Sequence, residues 1–216
     1  LGGPWQYFVN NIDFVLQLTM QHIQLVGLAV IIAILIGVPV GIYLTTNEEV
    51  AEAVLQVAAI IMTIPSIALF GIMIPILSTI GHGIGFLPAL IALILYSQLP
   101  IIRNTYVAIN NVDPAMRDAA KGIGMTTWQR LKTVELPIAV PVIMAGVRTA
   151  IVLSIGIGAI AAFIGAGGLG VIIDQGISRT NRDMMLVGAI AVSVLAIVID
   201  SVLGLLQRWL TPKGLS

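Results

Sequence analysis

Residues 21–43 read QHIQLVGLAVIIAILIGVPVGIY, a run without a single Asp, Glu, Lys or Arg. An α-helix of that length crosses a hydrocarbon core about 30 Å thick, since each residue adds about 1.5 Å. The polar stretch Thr45-Thr46-Asn47-Glu48-Glu49 closes the run. Gly37, Pro39 and Gly41 are expected to loosen its last turns.

Working outward, the pattern recurs. A second apolar run extends from about Ala53 to Ile80, interrupted at Thr63-Ile64-Pro65-Ser66, where proline removes a backbone donor and bends or breaks the helix. Such a break persists in a membrane only beside protein or a watery cavity. After the turn Gly81-His82-Gly83-Ile84-Gly85, a third run occupies roughly Leu87 to Ile102. The fourth and fifth cover about Ile138 to Ile164 and Leu186 to Leu206. Composition agrees: 58% of the chain is hydrophobic and 9% charged, against roughly a quarter charged in an average soluble domain. The expected fold is an all-α polytopic membrane protein with five transmembrane helices.

Basic residues orient it. Arg103, Arg117, Lys121, Arg130, Lys132, Arg208 and Lys213 fall on one side, Arg179 and Arg182 on the other, with Arg148 inside a span. The positive-inside rule makes the first side cytoplasmic, so the N-terminus is expected outside and the C-terminus inside, with Trp209 at the aromatic belt. Residues 1–20 mix Trp5, Tyr7, Phe8 and Phe14 with polar neighbours and lack the basic region of a secretory signal. They read as an interfacial amphipathic segment lying on the lipid membrane.

Other classes are disfavoured. Ten Lys+Arg balance ten Asp+Glu, leaving no basic field for nucleic acid. There is no cysteine, and His22 and His82 are far apart, each reading as a solvated residue near a span end, so no metal site is expected. No phosphate loop of the form G-x-x-x-x-G-K-[ST] occurs. The run Gly165-Ala166-Gly167-Gly168-Leu169-Gly170 matches G-x-G-x-x-G by letter, but it follows a membrane span on the outer side and reads as a tight turn, so no cofactor is expected. Ser154 and Ser193 lack a neighbouring base, so catalysis is not supported.

The one long polar stretch, residues 103–135, sits between the third and fourth runs. Asp113 can cap a helix with Pro114 at its first position, ended by a left-handed Gly122 or Gly124. Thr126 and Gln129 have capping-box spacing for a second helix, Thr127 to Val134, stopped by Pro137. A structured pair presenting Trp128 among Arg117, Lys121, Arg130 and Lys132 suits docking of another protein; a solvated basic loop is the competing reading.

A resemblance favours docking. Asp118-Ala119-Ala120, three residues, Gly124, nine residues, then Val134-Glu135-Leu136-Pro137 resembles the loop signature of bacterial ABC importer permeases: Glu-Ala-Ala, three residues, Gly, nine, Ile-x-Leu-Pro. Spacing matches throughout, with Asp for Glu and Val for Ile. The segments 99–105 (LPIIRNT), 134–137 and 165–170 narrow the likeness to permeases of glycine betaine, carnitine and choline importers. The resemblance implies a type I importer transmembrane domain over residues 21–207, with a coupling loop at 103–137 and a tail at 208–216. It implies cytoplasmic ATP-binding subunits, a second permease copy or sister permease, and an extracytoplasmic substrate-binding protein, in a bacterial inner membrane. It assigns Asp118, Ala119, Ala120, Gly124, Trp128, Glu135, Leu136 and Pro137 to ATPase coupling, with Ala119, Ala120 and Gly124 giving close packing. ATP hydrolysis then belongs to a partner and the chain is no enzyme. A permease of the same architecture for amino acids such as methionine, and a gradient-driven carrier, are the alternatives.

Within the spans, Thr63, Pro65 and Ser66, with Gly156 and Gly158, are candidates for pore lining or gating; helix packing by small residues is the other reading. Arg148 and Asp200 lie at comparable depth and are expected to pair, unless each snorkels to the interface. Aromatics make up 6% of the chain and lie near span ends, so a cation–π cage for a quaternary ammonium is not expected.

Overall fold

The computed structural model describes residues 3–210, and every regular element among them is helical. Leu1, Gly2 and the tail 211–216, Lys213 included, lie outside the described residues. The order is α1 (Pro4–Asn10), α2 (Ile12–Leu44), α3 (Glu48–Thr63), α4 (Ser66–Ser78), α5 (Phe86–Asn110), α6 (Pro114–Gly122), α7 (Thr127–Arg130), a π-helical turn (Leu131–Glu135), α8 (Leu136–Ile160), a 3₁₀ turn (Ala161–Ile164), α9 (Gly170–Ser178) and α10 (Arg182–Leu210). Four helices are long and apolar enough to span a membrane; α3 and α4, bent by 100° at their junction, form the fifth if they act as one broken span.

The central helix is α5, packed by α2, α3, α4 and α8. Its approach to α2 explains Gly37 and Gly41, which do not loosen that helix: α2 runs unbroken to Leu44 through Pro39. A Cβ on Gly37 would lie 2.8 Å from Ile101 Cγ2, and one on Gly41 only 2.6 Å from Thr105 Cβ. Gly146 does the same for α8, where a Cβ would come within 2.6 Å of the Pro100 carbonyl oxygen. Small residues one turn apart let backbones approach, and dispersion does the rest where water offers no hydrophobic drive. Leu93, Ala92, Ile101, Phe70 and Ala150 fill the resulting core, all at 0% exposure.

Three boundaries differ from the sequence reading. The first span helix begins at Ile12 and not near Gln21, so residues 4–20 divide between α1 and the first turns of α2. The third continues through Arg103 to Asn110. Pro137 does not stop the helix from Thr127: the backbone widens into the π turn at Leu131–Glu135 and runs on as α8. Widening moves the preceding carbonyls away from the proline ring, which removes the clash that would otherwise break the chain. The sequence reading also missed α9, which packs against α10.

Candidate functional site

The connection between α5 and α8 is built from local capping. The Asp113 carboxylate accepts from Ala115 N at 2.8 Å, and Pro114 opens α6. Gly124, at φ +81°, turns the chain out of α6, a conformation that costs a side-chain-bearing residue roughly 1–2 kcal/mol. Thr126 and Gln129 close a reciprocal capping box: Gln129 N donates to Thr126 Oγ1 at 3.3 Å and Thr126 N to Gln129 Oε1 at 2.9 Å. Two short helices result, joined by a tight turn.

Glu135 fixes them to the spans. Its side chain is 6% exposed and lies between two arginines: Arg130 Nε donates to Oε1 at 2.7 Å, and Arg117 Nε stands 3.3 Å from the same oxygen. Arg117 also donates to the Ile109 carbonyl at the end of α5. One carboxylate at the foot of α8 therefore ties α6, α7 and the end of α5 together. Asp118, by contrast, is exposed and pairs only with Lys121, at 3.1 Å. Ala120 is buried beneath α6, Ala119 faces out, and nothing lies within 4 Å of a Cβ built on Gly124. Leu136 is half-buried and Pro137 exposed. Around them Met116, Ile123 (75% exposed) and Trp128 (67% exposed) present large apolar side chains outward.

In the bend, Thr63 Oγ1 donates to Ile60 O at 2.7 Å and Pro65 caps α4. The Ile64 carbonyl, left without a helical partner, accepts from Tyr96 Oη at 2.5 Å. Thr63 and Pro65 are exposed and Ser66 half-buried. Gly156 and Gly158 part company: two residues apart, they point about 200° from each other around α8. Gly156 is exposed, whereas Gly158 is buried against Val26 and His22.

Arg148 on α8 and Asp200 on α10 meet in a fork. Nε donates to Oδ1 at 2.9 Å and Nη2 to Oδ2 at 2.8 Å, while Nη1 donates to Gln207 Oε1 at 2.9 Å. Gln207 Nε2 in turn donates to the Pro141 carbonyl at 2.8 Å.

The spanning bundle thus carries, on its polar connection, a short helix pair with exposed apolar side chains. Residues 33–213 match the family of binding-protein-dependent transport system inner membrane components. The chain belongs to this family. It is accordingly a multi-pass permease of the inner membrane, with ATPase and substrate-binding functions residing in partners. The permease is 53% identical to the osmoprotectant import permease protein OsmW of Salmonella typhimurium, over 97% of each chain. It is 43% identical to the glycine betaine/carnitine/choline transport system permease protein OpuCB of Bacillus subtilis, over 91% of this chain and 88% of that one. Its fold matches the MetNI methionine ABC transporter in inward-facing conformations, with a TM-score of 0.80 and 24% identity over 89% of this chain and 94% of that one.

Two features of the permease escaped the sequence reading. His22 is not solvated but fully buried: its Nδ1 accepts from Leu169 N at 3.3 Å, which leaves Nε2 to donate to the Ile155 carbonyl at 3.1 Å. Beside it Gly168 N donates to Gln21 Oε1 at 3.2 Å. The turn at 165–170, with Gly165, Gly167 and Gly168 all near φ +80°, is thereby moulded onto the Gln21–His22 surface. His82 is exposed. The second feature is the Glu135 clamp, which falls on the unspecified position of the loop signature. Among the described residues no group of three His, Cys, Asp or Glu could hold a metal.

Proposed function

We propose that this permease forms the pore of an ATP-driven, binding-protein-dependent importer of compatible solutes, with glycine betaine, carnitine or choline as cargo. The N-terminus lies outside and the C-terminus inside. The observation that carries the mechanism is the coupling element: an exposed apolar surface of Met116, Ile123 and Trp128 held to α5 and α8 by a buried carboxylate. Nothing among the described residues covers this surface, which suits a cleft on an ATP-binding subunit. The relatives at 53% and 43% identity support the solute class; the methionine transporter is likeness of fold alone.

In operation a loaded binding protein docks outside, closure of two ATP-binding subunits displaces α6 and α7, and α8 transmits the movement. Thr63, Pro65 and Ser66 at the bend, with Gly156 on the exposed face of α8, border the path between this permease and a second copy or sister permease. Gly158 packs the bundle instead. The test is ATP-dependent uptake of labelled glycine betaine into proteoliposomes holding permease, ATPase and binding protein, with wild type compared against Gly124→Trp. Loss of uptake with assembly retained supports the coupling role; gradient-driven uptake by the chain alone refutes the importer.

A further inference from the structure

The Arg148–Asp200 pair is satisfied within the chain, yet it is not hidden. Its side chains are 30% and 40% exposed, in a part of the sequence flanked by apolar helix. A charged pair at membrane depth does not face acyl chains; it faces protein or water. The helix that carries Asp200 is the least covered of the four long spans, only 17% of its most apolar stretch being buried. On one side of the pair lies a concavity of about 610 Å³ bordered by Ser201, Gly204, Leu205, Gln207 and Arg208. On the other is one of about 450 Å³ bordered by Ala145, Thr149, Val152 and Leu153.

The chemistry of that surface is specific. A guanidinium has five N–H groups, and the contacts to Asp200 and Gln207 engage three, so two remain for a further acceptor. Each Asp200 oxygen keeps lone-pair capacity beyond the one bond it accepts. Gly204 leaves this face open: a Cβ there would lie 3.4 Å from Cζ, Nη1 and Nη2 of Arg148, so any larger side chain would cover the guanidinium.

We propose that the Arg148–Asp200 pair is a passage site for the zwitterionic solute on the inner part of the pathway. The solute lies antiparallel to the pair, its carboxylate on the free N–H groups of Arg148 and its cationic methyl shell against Asp200. Opposed dipoles attract without either protein charge losing its partner, so the contact is weak and reversible, as conduction requires. No aromatic side chain among the described residues borders either concavity, which fits transient passage in place of capture. This inference rests on the compatible-solute reading above.

The test uses the reconstituted complex of permease, ATPase and binding protein. Arg148→Gln with Asp200→Asn removes both charges while keeping hydrogen-bonding groups, and Gly204→Leu covers the guanidinium while leaving both charges in place. Each variant is expected to lower glycine betaine uptake about tenfold, the size of one lost charge-assisted contact. ATP hydrolysis stimulated by the loaded binding protein stays within twofold of wild type. Uptake within twofold of wild type in both variants overturns the site. So does uptake falling in step with stimulated hydrolysis, which would mark the pair as a helix clamp. Wild type that imports no glycine betaine refutes the solute class itself, a separate failure.

Discussion

Replacing Glu135 by alanine strands two arginines at the foot of α8. Truncating one member of a buried ion pair costs about 3–5 kcal/mol where the partner is left without water. Here the arginines are 27% and 19% exposed, and both reach solvent on relaxing, so about 2 kcal/mol is the reasonable magnitude, a factor of about thirty in opening of the coupling element. The loss is local, because Ile143, Ala150 and Ile155 of α8 are held by hydrophobic cores and not by the ion pairs of Glu135. Hydrogen exchange of the permease in nanodiscs separates the two. Glu135→Ala is expected to speed exchange of residues 114–122 about thirtyfold while residues 143–158 keep their protection, and to uncouple ATP hydrolysis from uptake. Unchanged exchange over 114–122, or equal loss along α8, would refute the clamp.

Gly124→Asn, whose side chain tolerates a left-handed backbone, is expected to retain most uptake, whereas Gly124→Trp abolishes it; equal loss in both would place the defect in the fold. Gly168→Ala is expected to lower the thermal midpoint of the purified permease more than Gly165→Ala. Both sit near φ +80°, but only at Gly168 does a Cβ meet His22 Nδ1, at 2.8 Å, while at Gly165 the nearest atom is 3.6 Å away. Tyr96→Phe leaves the Ile64 carbonyl unpaired beside the bend and is expected to cost about 1 kcal/mol in stability, read by thermal unfolding in detergent.

Features that depend on a few neighbouring residues were legible in the sequence. Asp113 with Pro114, and Thr126 with Gln129, cap helices because their partners lie within three positions. The spans were legible by length and lack of charge, and the proline break by its missing donor. What depends on distant partners was not. His22 looks like any interfacial histidine until Ile155 and Leu169, 133 and 147 residues away, are folded against it. Gly37 and Gly41 resemble helix looseners until α5 arrives. The effect of Pro137 turns on whether the preceding turn can widen, a choice that tertiary packing makes. Arg148 and Asp200, 52 residues apart, could be matched in depth from helical rise alone, but not in rotation about their helices.

The uninterrupted passage from Thr127 through the π turn into α8 makes one rod of what the sequence divides into a loop helix and a span. Trp128 stands 28 residues from Gly156, about 42 Å along such a rod at 1.5 Å per residue, so each degree of tilt at one end sweeps the other by about 0.7 Å. If the α6–α7 loop docks as proposed, its displacement reaches Gly156 through the π turn and Pro141, the points of the rod at which the stroke is absorbed or passed on.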